Sequence, residues 1–318
     1  MLMDMLTILR KGTNRQRSTK HHISGTRDNY YLGLSSEGFH RLYYREWGDP
    51  SNTDIIVCVH GVTRISYDFD ILAKQLSKKY RVICPDIVGR GSSDWLGNKD
   101  NYNFIQYCSD LNALFAHIHA DRIHLVGTSM GGLLGMILAA MAHTPIESLV
   151  LNDVGPDIKR AELQRIGDYI GRAPVFDSEE AYFQYYEETY QDLAKMVNPE
   201  ELRKMAKYSA FKAEDGYRLH YDPKIGEAFR KSYSFFNFDL WKYWDEVECP
   251  TLIIRGSEST FFTQKVAESM VEHKTNARLI EIEGAGHTPT LRSETEIKAI
   301  EGFFNELTVG ESARQSSA

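Results

Sequence analysis

Short apolar runs alternate with amphipathic segments over most of this chain, and this alternation constrains the fold more than any other feature. The runs are four to six residues long and rich in Ile, Leu and Val, as buried strands are. Near-continuous apolar strands that alternate with helices are typical of a parallel sheet covered on both faces. The sequence therefore predicts an α/β fold with a doubly wound, mostly parallel sheet. Its apolar strands are expected at residues 55–60, 82–85, 123–127, 148–152, 251–255 and 278–282.

One long interval breaks the alternation. Residues 156–245 have a helical, acidic pattern rich in Tyr and Phe and contain no run that resembles a strand. We interpret them as a helical cap inserted into a sheet domain that comprises residues 29–155 and 246–307. Caps of this kind cover a site and select substrates. Residues 1–28, a basic tail, and residues 308–318, a polar tail, are expected to be disordered.

The run at residues 125–132 reads LVGTSMGG and places Ser129 in a G-x-S-x-G pattern between a strand and a helix. Glycines on both sides of the serine allow a sharp, strained turn, because side chains there would collide with the strand and the helix. The helix begins near Met130, so its N-terminal N–H groups and dipole favour negative charge beside the serine. The run predicts a nucleophile at Ser129, and the alternative is a Gly/Ser turn without a catalytic role.

A serine hydroxyl is a weak nucleophile unless a neighbouring base takes its proton. His287 lies in a short Gly-rich loop between the last strand and the last helix, at the sheet edge where Ser129 is expected. His60 also ends a strand, but the glycine after it suits a loop that offers backbone N–H groups. We therefore expect His287 to be the base, His60 to be structural, and the N–H groups of Val62 and Met130 to form an oxyanion hole.

Taken together, these motifs resemble the α/β-hydrolase superfamily over residues 30–307, and more closely a group of bacterial capped serine hydrolases. The motifs that carry the resemblance are HGVTR at 60–64, DIVGRGSSD at 86–94, GTSMGG at 127–132, LNDVGP at 151–156 and GH at 286–287. The resemblance implies hydrolysis of a carboxylic ester, a lactone or a related small acyl substrate through an acyl-enzyme intermediate. A C–C bond hydrolase or an acyltransferase would use the same residues. A non-catalytic ligand-binding relative is the alternative of another class.

The third member of the catalytic group departs from the pattern of these relatives, which usually carry an aspartate in R-G-x-x-S-D after the penultimate strand. Here residues 255–260 read RGSEST, so Thr260 stands where that aspartate is expected. Glu258 lies in the same loop and has a longer side chain. Asp153 ends the strand that follows the nucleophile, a position from which some superfamily members supply the acid. We favour Asp153 as the partner of His287 and keep Glu258 as the alternative.

Composition and motifs exclude several other function classes. The formal net charge of −7 offers no positive field for a nucleic-acid backbone. The four cysteines and eleven histidines show no metal-ligand spacing, and no phosphate-binding loop is present, so we expect neither a metal nor another cofactor. No apolar run reaches the ~18 residues of a membrane span. We expect a cytoplasmic enzyme with a small-molecule substrate, for which a homodimer would be unsurprising.

Overall fold

The computed structural model describes residues 23–235 and 238–315, and its centre is an eight-stranded sheet. In chain order the described strands are β1 (Thr26–Ser35), β2 (Gly38–Trp47), β3 (Ile55–Val59), β4 (Arg81–Asp86), β5 (Ile123–Thr128), β6 (Ile146–Asn152), β7 (Asp157–Ile158), β8 (Ala210–Ala213), β9 (Gly216–Leu219), β10 (Phe238–Asp239), β11 (Thr251–Gly256) and β12 (Ala277–Ile282). The sheet has the spatial order β1-β2-β4-β3-β5-β6-β11-β12. Strand β2 pairs antiparallel with both of its neighbours, β1 and β4, and the remaining pairs of this sheet are parallel.

Helices connect the strands of this sheet and also form most of the segment between β6 and β11. The described α-helices are α1 (Asp70–Leu76), α2 (Phe104–His117), α3 (Met130–Ala139), α4 (Arg160–Tyr169), α5 (Glu179–Thr189), α6 (Gln191–Met196), α7 (Pro199–Tyr208), α8 (Lys224–Phe235), α9 (Trp241–Glu246), α10 (Gln264–Glu272) and α11 (Glu294–Gln315). No helix among the described residues is long and apolar enough to cross a membrane.

Apolar side chains fill both faces of the sheet, because successive residues of a strand point to opposite sides. In β3, Ile55 and Val57 belong to one buried cluster, which also contains residues of α2, α3 and α10. Ile56 and Cys58 belong to a second buried cluster, which contains residues of α1 and α11. The predicted doubly wound, mostly parallel sheet is therefore confirmed.

The insert, which we define as residues 156–245, differs from the sequence prediction in one respect. It contains strands as well as helices: β8 and β9 form an antiparallel hairpin, and β7 pairs with β10. These strands have two to four residues and mixed burial, so they are too short for an alternating apolar pattern to reveal them.

Both predicted tails are too long. Strand β1 begins at Thr26, where its pairing with β2 starts, so the predicted N-terminal tail cannot extend to residue 28. Residues 1–22 lie outside the described part of the chain. Helix α11 continues to Gln315, since each added residue gains a backbone hydrogen bond and no proline interrupts it. Of the predicted tail at 308–318, only residues 316–318 lie outside the description.

Candidate active site

Ser129 lies on the turn between β5 and α3, at the carboxyl edge of the sheet. Its backbone has a φ of 51°, in the region that side chains usually avoid. A Cβ atom on Gly127 would lie 2.5 Å from the carbonyl carbon of Gly131, and one on Gly131 would overlap the carbonyl of Val59. The two glycines therefore allow the close contact between strand and helix that this turn requires.

His287 follows β12 and contacts Ser129 at the same edge of the sheet. Its Nε2 atom lies 3.1 Å from the Oγ of Ser129, a hydrogen-bonding distance. The ring of Phe261 packs against the imidazole with 4.1 Å between centroids. The histidine is thus held between a polar partner and an apolar wall, in the geometry of a general base beside a nucleophile.

Asp153 completes a hydrogen-bonded chain of three side chains. Its Oδ2 lies 2.7 Å from Nδ1 of His287, and the residue is fully buried. The carboxylate also accepts hydrogen bonds from the backbone N–H of Gly256 at 2.9 Å and from Oγ of Ser259 at 2.6 Å. These donors compensate the loss of solvation that a buried carboxylate would otherwise suffer. The carboxylate in turn holds the proton of His287 on Nδ1 and leaves Nε2 free to accept from the serine.

Glu258, the alternative acid, lies elsewhere. The residue is exposed, and its backbone N–H donates to the carbonyl of Ala285 at 2.9 Å. Its neighbour Ser259 is buried and points to Asp153. Sequence reasoning missed Ser259 because it considered only the acidic residues of this loop. The signal was present, since Ser259 occupies the serine position of the R-G-x-x-S-D pattern.

His60 contacts backbone groups around the loop that follows β3. Its Nε2 accepts the N–H of Ile87 at 3.0 Å, so the ring proton resides on Nδ1, which donates to the carbonyl of Gly61 at 2.7 Å. Burial lowers the pKa of His60 to about 4, because the charged ring would lose its solvation. A neutral His60 therefore braces this loop, as the sequence indicated.

Val62 and Met130 are the residues whose backbone N–H groups are predicted to form an oxyanion hole. Met130 is the first residue of α3, where an N–H has no acceptor within the helix. For the N–H of Val62, no hydrogen bond to another residue is found in the described part of the chain. Both residues line a cavity that Ser129 also lines.

Two cavities meet at Ser129, and the insert supplies part of both walls. The first has a volume of about 250 Å³ and a mostly apolar wall, to which the insert contributes side chains such as Leu163 and Phe229. The second has a volume of about 430 Å³ and a more polar wall that includes His287 and Tyr190. Within residues 23–235 and 238–315, no group of three or more His, Cys, Asp or Glu residues could hold a metal ion.

Comparisons with known proteins agree with this architecture. Residues 54–291 match the model of a family described by the alpha/beta hydrolase fold. A 3-hydroxybutyrate-oligomer hydrolase of Cupriavidus necator is 36% identical over 279 residues, which are 85% of this chain and 95% of that protein. A proline iminopeptidase of Lacticaseibacillus rhamnosus is 24% identical over 257 residues, 75% of this chain and 85% of the relative.

Among solved structures, an α/β hydrolase from Novosphingobium aromaticivorans superimposes with a TM-score of 0.79 at 32% identity, and the match covers 89% of this chain and 99% of the other. The family model covers six of the eight strands of the central sheet and the whole insert. This chain therefore belongs to the α/β-hydrolase fold family.

Proposed function

We propose that this protein is a serine hydrolase that cleaves a carboxylic ester, a lactone or a related small acyl substrate through an acyl-enzyme intermediate. The observation that carries the proposal is the unbroken hydrogen-bonded chain from Ser129 through His287 to Asp153, with distances of 3.1 and 2.7 Å. A serine, a histidine and a buried carboxylate in this order are the components of acyl transfer by a serine nucleophile.

In the proposed reaction, Oγ of Ser129 attacks the substrate carbonyl while Nε2 of His287 takes the hydroxyl proton. The N–H groups of Val62 and Met130 donate to the oxyanion that forms. His287 then gives the proton to the leaving alcohol, and the acyl group remains on the serine. A water molecule, deprotonated by His287, attacks the acyl-enzyme, and collapse of the second tetrahedral intermediate releases the acid and restores Ser129.

Two features support an ester with a short acyl group as the substrate to test first. The apolar cavity beside Ser129, with a volume of about 250 Å³, has room for a small acyl group. The Cupriavidus relative at 36% identity is named for hydrolysis of 3-hydroxybutyrate oligomers, in which short hydroxyacyl units are joined by esters. We therefore expect turnover of short-chain esters, including esters of 3-hydroxybutyrate.

The test is covalent labelling by a fluorophosphonate, together with hydrolysis of p-nitrophenyl butyrate. Wild-type protein should be labelled and active, whereas Ser129→Ala should lose the label and roughly 10⁶-fold in turnover, as expected when a serine nucleophile is removed. Ser257→Ala is the matched control, since this serine contacts the N–H of Gly284 and not the chain of three residues. Labelling that persists in Ser129→Ala, or wild-type protein that neither reacts with the probe nor hydrolyses esters, would refute the proposal.

A further inference from the structure

Arg90 is a fully buried arginine in the loop after β4, and it lies in the wall of the apolar cavity at Ser129. Within the part of the chain that the structure describes, no carboxylate pairs with it. Its Nε donates to the carbonyl of Val62 at 2.9 Å and its Nη1 to the carbonyl of Val88 at 2.8 Å. Its Nη2 lies 3.6 Å from the sulfur of Met130. The guanidinium thus contacts both residues that the proposed function uses as oxyanion donors.

A buried cation that no carboxylate contacts directly is costly, so the groups around Arg90 and its position need a physical reason. Two carbonyl oxygens accept from the guanidinium, and the ring of Tyr107 lies 4.8 Å from its central carbon. These contacts offset much of the free-energy cost of burying the charge. The remaining positive charge lies in the wall of the cavity where, in the proposed reaction, a negative charge develops on the substrate oxygen.

The loop that contains Val62 is held at two successive peptide groups. His60 donates to the carbonyl of Gly61 at 2.7 Å, and the backbone N–H of Arg64 donates to the same oxygen at 3.1 Å. In a trans peptide the N–H points opposite to the carbonyl, so these bonds set the direction of the N–H of Val62. Arg90 holds the next carbonyl, that of Val62 itself. Rotation of the loop would break bonds on both sides of the N–H.

We infer that Arg90 is a positioning residue that keeps the N–H group of Val62 in place for the oxyanion. This inference rests on the proposed function. An arginine suits the task because its planar fork presents several donors in fixed directions, whereas a lysine carries one flexible ammonium group. An oxyanion hole is effective only when its donors are already aligned, and a displacement near 1 Å is sufficient to cost about 10²-fold in rate.

The experiment compares Arg90→Met, which removes every donor, with Arg90→Lys, which keeps the charge and loses the fork. With p-nitrophenyl butyrate, Arg90→Met should lower kcat about 10²-fold while KM changes less than about threefold, because the lost alignment acts on the transition state. Arg90→Lys should fall between this variant and the wild type. Arg45→Met is the matched control: it removes a different buried arginine, which pairs with Asp70 at 3.2 Å, and should leave kcat unchanged.

Two ratios test the oxyanion hole itself and are independent of the folded fraction of a preparation. The first is the rate on an ester divided by the rate on the corresponding thionoester, whose sulfur is a poor acceptor. The second is the affinity for a trifluoromethyl ketone, which forms a tetrahedral adduct, divided by the affinity for the product acid. Both ratios should fall in Arg90→Met, and the loss of ketone affinity should parallel the loss of kcat/KM.

Two results would contradict the role inferred for Arg90. Equal losses on ester and thionoester, or a kcat that is unchanged while KM rises only for substrates that carry a carboxylate, would overturn the inference and make Arg90 a structural or substrate-binding residue. Either result leaves the proposed function intact as long as hydrolysis depends on Ser129. If hydrolysis does not depend on Ser129, the proposed function and this inference fail together.

Discussion

The loops after β6 and β11 lie side by side at the sheet edge, and together they hold the carboxylate of Asp153 in place. The β6 loop contributes Asp153, which is fully buried and has a φ of 53°. The β11 loop contributes the donors, from Gly256 and Ser259, while its own acid, Glu258, is exposed. One loop therefore supplies the charge, and its neighbour supplies the hydrogen bonds that make this charge tolerable in a buried place.

This division is possible because β6 and β11 are paired in parallel, with Asn152 level with Ile254. Neighbouring strands are separated by about 4.8 Å, so the residues that follow either strand are within reach of the same imidazole. The backbone N–H of Asp153 also donates to the carbonyl of Ile254 at 2.8 Å, which joins the two loops at their origin. A carboxylate can thus move from one strand to the next while the nucleophile and the histidine stay in place.

The largest loss of activity is expected for a substitution in the β6 loop. Asp153→Asn should lower kcat on p-nitrophenyl butyrate about 10⁴-fold, because the amide no longer favours the Nδ1-protonated tautomer and no longer stabilises the imidazolium. Steady-state kinetics with the thermal unfolding midpoint as a check on folding would measure it. A loss below tenfold in folded protein would mean that another group supports His287.

A smaller loss of activity is expected when the side-chain donor of the β11 loop is removed. Ser259→Ala removes the 2.6 Å hydrogen bond to Oδ2, the oxygen that also contacts His287. A hydrogen bond to a charged group contributes about 1.5–3 kcal/mol, of which only a part is specific to the transition state, so we expect kcat to fall about 10-fold. Ser257→Ala in the same loop serves as the control. Equal activity of the two alanine variants would show that the donor is dispensable.

The smallest effect is expected for the exposed acid of the β11 loop. Glu258→Gln should change kcat less than about twofold, since the side chain is exposed and the contact of His287 is made by Asp153. The same kinetic assay measures it, with Asp153→Asn assayed in parallel. A larger loss for Glu258→Gln than for Asp153→Asn would reverse the roles of the two loops.

The parts of the fold that could be predicted are those with a long or periodic local signal. All six apolar strands were located from runs of four to six residues. The five that lie inside the sheet are largely apolar because both of their faces are buried, whereas β12 is a partly exposed edge strand. The hairpin of β8 and β9 escaped prediction because four-residue strands with mixed burial carry no period. The C-terminal helix was predicted too short, because a polar composition does not by itself end a helix.

What the sequence alone determined about this protein is the turn that carries Ser129, because strand, glycines and helix follow one another within eight residues and their steric demands are local. The contact of His287 with Asp153 and not Glu258, the hydrogen bond from Ser259 and the contacts of Arg90 with Val62 and Met130 appear only in the tertiary structure. Each of these joins residues that are far apart in the chain, and the pairing of strands determines which loops become neighbours at the sheet edge.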